Sequence, residues 1–346
     1  MKLLRRKKDE KKTDLERVEE RREEVLAQGR KFKYPLQYTK HRVVVNTVLI
    51  GIIITALLAV GGWLALYKFQ MTDELLYRAT MIVPVSVANV DGEKVRFSDY
   101  LMLYRSSLVS IEQQSGKLGN DIDSDYVRKK YKRIALTNAE QYAYAAKLAH
   151  ENDVTVTDEE VAAEFDRHRQ VGSIDRSEES FLKVLKDNFG LSKGEYERMI
   201  KLNLTKAKVM AKLDNNANSV AGEVERLLSS NGGDFKAVYE ELGDKISYQE
   251  TGGLVDGKNI DGGRAMEAAK LEAGGQSGRF LSINGDGYYF VKLIKKTDTQ
   301  VDFVSIFVPF KEFDSMFAKL KEENKISESI ELEELWYNEL VVAGIV

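Results

Sequence analysis

The chain has 346 residues, 31% of them charged, with a formal net charge of −3, no cysteine and three histidines (His41, His150 and His168). The missing cysteine excludes disulfides, thiolate zinc sites, a thiol nucleophile and a lipidated cysteine anchor, and no His-x-x-x-His pair offers an imidazole metal site. The charge is uneven: residues 1–42 hold 15 Lys and Arg against 8 Asp and Glu, whereas residues 43–346 hold 37 against 47.

In chain order, the basic run Arg5–Lys8 has the charge to meet anionic lipid or nucleic acid, although a solvated run is the plainer reading and no nucleic-acid partner is expected. TDLERVEERREEVLAQ reads as a charged, solvated helix with like charges at i,i+4, such as Glu16 with Glu20. Val43–Tyr67 then runs 25 residues without a charge. At about 1.5 Å per residue it reaches roughly 37 Å, more than the ~30 Å hydrocarbon core, so it can cross with some tilt. Trp63 and Tyr67 suit an interfacial belt, and Asn46 is a mild cost at the other end. Arg30–Arg42 carries five Lys and Arg while Lys68–Val87 carries two, which predicts a cytoplasmic N-terminus and an extracytoplasmic bulk at the plasma membrane. A cleaved signal peptide is the rival reading, but its apolar core would be shorter.

Val83–Tyr100 reads as a strand, an Asp91–Gly92 turn, a return strand and a helix starting at Ser98. Val127, Tyr131, Ala135, Ala139, Tyr142, Ala146 and Ala149 recur at spacings of three and four as one buried stripe. Thr157–Glu160 and Ser192–Glu195 are capping boxes, the second opening a helix with Tyr196, Ile200, Leu204, Ala207 and Ala211 on one side. Asp214–Ser219 reads as a polar boundary. Helices are expected over Val220–Ser230 and Phe235–Leu242, then a short one in AMEAAKLEAG. RFLSI and YYFVKLIKK form a hairpin about Asn284–Gly285. Val301–Val308 is one more strand, expected to pair antiparallel with Tyr288–Lys295 because the connection after the run YYFVKLIKK, Thr297–Gln300, is only four residues long. A helix in EFDSMFAKLKEEN and the apolar tail Leu340–Val346 complete the chain.

The segment TGGLVDG lacks a Gly-Lys-Ser/Thr ending, so it is no Walker loop; Gly252–Gly253 read instead as a turn leading into a strand. Asp121–Asp125 resembles the start of a calcium loop, but Tyr126 stands where its glycine is required and Lys132 where its last glutamate is, which favours helix-capping carboxylates. No metal, nucleotide or cofactor is expected.

VANVDGEKVRFSDYLMLY, KLAHENDVTVTDEEVAAEF and FLKVLKDNFGLSKGEYERMIKLNLTKAKVM resemble the helical module of SurA/PrsA-type chaperones. GGDFKAVYEEL, GGLVDG, EAAKLEAGG and GYYFVKL resemble the parvulin-type prolyl isomerase domain that often follows it. The resemblance implies a mainly α protein with a small α+β domain: a single N-terminal transmembrane helix, a SurA-like helical domain, and a parvulin-like antiparallel sheet with helices. The expected division is 1–42 cytoplasmic basic segment, 43–67 span, 68–84 linker, 85–219 helical chaperone domain, 220–310 divergent parvulin-like domain, and 311–346 C-terminal helix and tail. Parvulin sites use two histidines on adjacent strands. Here Tyr289 stands at one of those positions and Ser305 near the other, the family's first strand is missing, and no histidine follows His168. Met266, Phe280 and Tyr289 are the expected remnants of a proline pocket; the client-binding residues are not legible. The implied role is binding unfolded or nascent secreted polypeptides beside a lipid bilayer, with client binding expected to reside in residues 85–219. An active isomerase with an altered site, and a membrane scaffold recruiting a partner through residues 1–42 or the tail, are the alternatives.

Overall fold

The computed structural model describes residues 14–33, 35–118, 125–171 and 174–332, in two units, 1–69 and 70–346. Arg5–Lys8, Leu340–Val346 and most of the calcium-like run lie outside the described residues. The chain is mostly helical with small antiparallel sheets.

The first unit holds α1 (Asp14–Lys33) and α2 (Pro35–Trp63), which continues as one π-helical turn over Leu64–Lys68. Arg42–Lys68 is long and apolar enough to cross a membrane, and its most apolar window has no buried residue within the unit. Thr47 and Thr55 donate their hydroxyls to the Val43 and Gly51 carbonyls, so these polar side chains satisfy themselves on their own helix.

The second unit opens with α3 (Glu74–Ile82), then β1 (Ser86–Val90) and β2 (Glu93–Arg96). Asp91 and Gly92 both take positive φ, +50° and +91°, as a tight hairpin of the expected Asp-Gly kind demands. Next come α4 (Phe97–Leu118), α5 (Asp125–Glu151) and α6 (Asp158–Arg169), then β3 (Gln170–Val171) paired with β4 (Ile174–Asp175), then α7 (Glu178–Phe189) and α8 (Lys193–Leu213). Both capping boxes form: Thr157 Oγ1 accepts from the Glu160 amide while Glu160 accepts from the Thr157 amide, and Ser192 with Glu195 does the same.

The stripe expected on α5 is only partly the buried one. Ala135, Ala139 and Ala149 are buried, but Ala146 is exposed, and Ile134, Leu136, Tyr144 and Leu148 supply much of the core. The reason is that α5 lies between α4, α8 and the β1–β2 hairpin, so it buries more than one face and no single 3.6-residue stripe describes it. An ion pair ties α4 to α8: Arg198 donates from Nε and Nη2 to the two carboxylate oxygens of Asp99 at 2.5 and 2.6 Å.

Asp214–Ser219 is not a loop. Asp214 ends α8 and N-caps α9 (Asn215–Ser230), accepting from the Ala217 amide at 2.8 Å, so among the described residues no strand separates the two helices. Then follow α10 (Phe235–Leu242), β5 (Ser247–Glu250), β6 (Val255–Asp256), α11 (Arg264–Ala269), β7 (Phe280–Leu281), β8 (Gly287–Lys296) and β9 (Gln300–Pro309). The anticipated hairpin of β8 and β9 forms, with Tyr289 opposite Phe307 and Val291 opposite Ser305. β9 also pairs with β5 and β6, giving the order β5-β9-β8-β7 with β9 interior. Gly252 and Gly253, at φ +68° and +155°, turn the chain between β5 and β6, which answers what that glycine pair is for. One sheet face carries the cluster Val291, Leu293, Val301 and Phe303 under Ala265 and Ala268 of α11; α9 and α10 also pack on this hairpin.

The chain then returns to the helical body. In α12 (Glu312–Glu322), Phe313 and Phe317 set their rings 5.5 and 6.1 Å from that of Tyr144, and β10 (Ile326–Glu328) pairs antiparallel with β1, completing the sheet β10-β1-β2.

Candidate functional site

Antiparallel register decides which side chains share a face, since opposite residues project together and alternate along each strand. Tyr289 pairs with Phe280 on β7 and Phe307 on β9, while Ser305 pairs with Val291 and with Gln249 on β5. Tyr289 and Ser305 therefore stand on one face of the sheet, diagonal across the hairpin. The Tyr289 ring lies 4.6 Å from that of Phe307 and 6.0 Å from that of Phe280, a three-ring row across three strands.

Arg264, the first residue of α11, reaches over this row. Its guanidinium carbon is 5.1 Å from the Tyr289 ring centre, its Nε donates to the Asp261 carbonyl at 2.7 Å, and its Nη1 donates to Gln249 Oε1 and, at 3.4 Å, to Ser305 Oγ. Ser305 donates in turn to the Gln249 carbonyl at 3.4 Å. Gly262, at φ +77°, explains how the ring fits: a Cβ there would come within 2.7 Å of Tyr289 Cε2, so only a glycine lets this backbone lie on the ring.

Burial raises the Tyr289 hydroxyl above its ordinary range, against the pull of the Arg264 charge. A guanidinium does not titrate in proteins. Arg264, Tyr289 and Ser305 thus form no acid–base pair that exchanges a proton near neutral pH. They set a fixed cation and two hydroxyls over a row of rings that is itself packed, with Tyr289 9% and Ser305 2% exposed.

The structure brings Phe280, Tyr289 and Ser305 onto one sheet face, whereas Met266 lines a neighbouring cleft of about 270 Å³ together with Ile260, Ile283, His168 and Tyr196. His168 is half-buried in that cleft: its Nδ1 is 2.8 Å from the Tyr196 hydroxyl and its Nε2 is 3.1 Å from Glu164 Oε1. Burial works against the charged Glu164, yet hydrogen bonds from His168 and Arg167 overcome it and hold its carboxyl down at about 2.

Sequence reasoning passed over Arg264, Gln249 and Phe307. Arg264 follows a Gly-Gly pair and carries no motif; its place depends on α11 packing on β8 and β9, and its bond to Gln249 on β5 pairing with β9, contacts no local pattern encodes. Phe307 was readable as a strand residue, but its ring contact with Tyr289 needed the register of the hairpin.

A family model described as the SurA-like N-terminal domain matches residues 37–210, just over half of the chain, covering the candidate span and the body from α3 to α8. No curated protein matches the chain.

Proposed function

We propose that the chain, which belongs to the SurA-like N-terminal domain family, is a membrane-anchored extracytoplasmic chaperone. It binds unfolded secreted polypeptides, and its domain over 220–310 is a divergent parvulin-type domain with weak or lost prolyl isomerase activity. The observation that carries the reading is the family match, because it takes in an apolar helix able to span a membrane and the helical body together. The basic excess of residues 1–42 supports a cytoplasmic N-terminus at the plasma membrane, with residues 70–346 outside.

Two features support loss of the isomerase site. No histidine follows His168, and the Tyr289 ring, where the family has a histidine, is packed against Gly262, Phe280 and Phe307 rather than standing over an open pocket. Rotation about an X-Pro bond needs no acid or base, so the chemistry alone does not forbid activity; what the packing removes is room for a flat proline ring.

The test uses the full chain in detergent or vesicles. It slows aggregation of an unfolded client, read by light scattering at near-stoichiometric amounts, and does not speed cis/trans exchange of a proline tetrapeptide above background. Failure to slow aggregation overturns the chaperone reading. Strong acceleration that disappears in Tyr289→Ala or Arg264→Ala makes the chain an isomerase with an altered site. Protease added to spheroplasts removes residues 70–346 and spares the N-terminus; the reverse pattern overturns the orientation.

A further inference from the structure

α3 is a nine-residue helix that buries one side and leaves the other bare. Tyr77 and Thr80 are 4% and 2% exposed. On the opposite side Leu75 is 76% exposed and Ile82 84%, with Ala79 between them at helical spacing, and Val83 follows at 56%. Large aliphatic side chains this bare, lined up along one helix, are not scattered surface residues.

The helix is held in this attitude by polar contacts on its inner side. The Tyr77 hydroxyl donates to Glu195 at 2.6 Å and Arg78 Nη1 to the same carboxylate at 3.1 Å, fastening α3 to the start of α8. Arg105 of α4 donates to the Thr72 carbonyl at 2.8 Å and pairs with Glu74. Asp73 caps the helix through the Leu76 amide. Glu74, the one acidic side chain within the helix, is thus tied to Arg78 and Arg105 and does not burden the outer stripe with an unpaired charge. α3 cannot roll over to bury Leu75 and Ile82 without breaking these contacts.

Covalent continuity selects the occupant. The candidate span ends at Lys68. Seven residues lead from there to Leu75, and an extended chain covers at most about 3.6 Å per residue, so the stripe begins within about 25 Å of the span's last residue. Phe69 and Met71, both exposed, add two large apolar side chains to a connecting stretch that also carries Gln70, Thr72, Asp73 and Glu74. We propose that α3 lies on the membrane surface with Leu75, Ala79, Ile82 and Val83 in the lipid interface, a second attachment that fixes the tilt of the helical body against the bilayer. This rests on the reading of Arg42–Lys68 as a membrane span.

The absence of native cysteine makes the test direct. Single cysteines at Ile82, at Ile53 in the span and at exposed Tyr239 on α10 are each labelled with a polarity-sensitive fluorophore, in full-length protein reconstituted into phosphatidylcholine–phosphatidylglycerol vesicles. The Ile82→Cys label is quenched several-fold more than the Tyr239→Cys label by lipids brominated near the headgroup, and is several-fold less open to iodide. An Ile82→Cys label as open to iodide as Tyr239→Cys, while Ile53→Cys is quenched by deeply brominated lipid, overturns the interfacial helix and leaves the anchor standing. An Ile53→Cys label that lipid quenchers do not reach overturns the anchor, and with it this proposal. Protection of Ile82→Cys from both quenchers, with an 82–82 disulfide on oxidation, assigns the stripe to a second copy of the chain and also overturns it.

Discussion

Glu140 is 1% exposed inside α5, and neither of its carboxylate oxygens finds a hydrogen-bond partner among the described residues. Burial pushes its carboxyl up to about 7, helped by the negative charge of Glu328 on β10 and opposed by Lys321 on α12 and Arg133 on α5. Arg133 spends its guanidinium elsewhere, donating to Glu328 at 2.5 Å and to the Leu332 carbonyl at 2.6 Å. Since the folded value lies above the ordinary 4.5, the folded protein keeps a proton that the unfolded chain has released between those two pH values. Stability from this group is therefore full below about pH 4.5, falls as pH rises towards 7, and is level beyond, with a ceiling of about 3 kcal/mol on the whole drop. Glu164 acts in another window: held down at about 2, it adds stability above the ordinary value that is lost only in stronger acid. Glu140→Gln is expected to flatten the decline between pH 5 and 7 and to raise the urea midpoint at pH 8, measured on the full chain in detergent micelles. An unchanged slope would show that Glu140 does not govern it.

Among the elements, β9 has the most to lose, because β5, β6 and β8 all pair with it. Phe303 of β9 is 2% exposed in the cluster under α11. Phe303→Ala is expected to cost about 3–5 kcal/mol and to strip amide protection from β8 along with β9. Phe307→Ala, at a half-buried position, is expected to cost clearly less. Equal costs, or a β8 that stays protected in Phe303→Ala, would show that the sheet does not hang on β9. The β8–β9 hairpin was legible because its signals are local: Thr297–Gln300 is a short connection between two runs rich in aromatic and β-branched residues. The caps at Thr157 and Ser192 were legible for the same reason, each needing only a residue three positions on. β10 was not. Ile326–Glu328 is three residues with no alternating pattern, and it becomes a strand only because β1, far upstream, offers it an unpaired edge. The Arg264–Gln249 contact, likewise, exists only after β5 has found β9.

At the scale of the molecule, the segment from α9 to β9 leaves the helical body and comes back at a single carboxylate. Asp214 Oδ1 accepts from the Ala217 amide at 2.8 Å to start α9, and Asp214 Oδ2 accepts from the amides of Lys311 and Glu312 at 2.6 and 2.9 Å as the chain returns into α12. Glu312 answers by accepting from the Asn215 amide at 3.1 Å. With its two ends this close, the segment can be removed without stretching what remains. The body, by contrast, is closed by residues from beyond the segment: Phe313 and Phe317 against Tyr144, and β10 against β1. Residues 85–219 lack all of these, so that stretch alone is a poor vehicle for testing client binding. We expect a full-length chain with residues 215–310 replaced by a short Gly-Ser linker to unfold cooperatively, at a lower midpoint because Ala207 and the α8 face under Gly285 become exposed. It should still slow client aggregation by at least half as much as the intact protein. A chain ending at residue 219 should show no cooperative transition, since β1 loses β10 and Tyr144 loses both phenyl partners. A deletion that melts cooperatively yet no longer protects the client would move client binding to the sheet segment, and a cooperative transition in the chain ending at 219 would show that α12 and β10 are not needed to close the body.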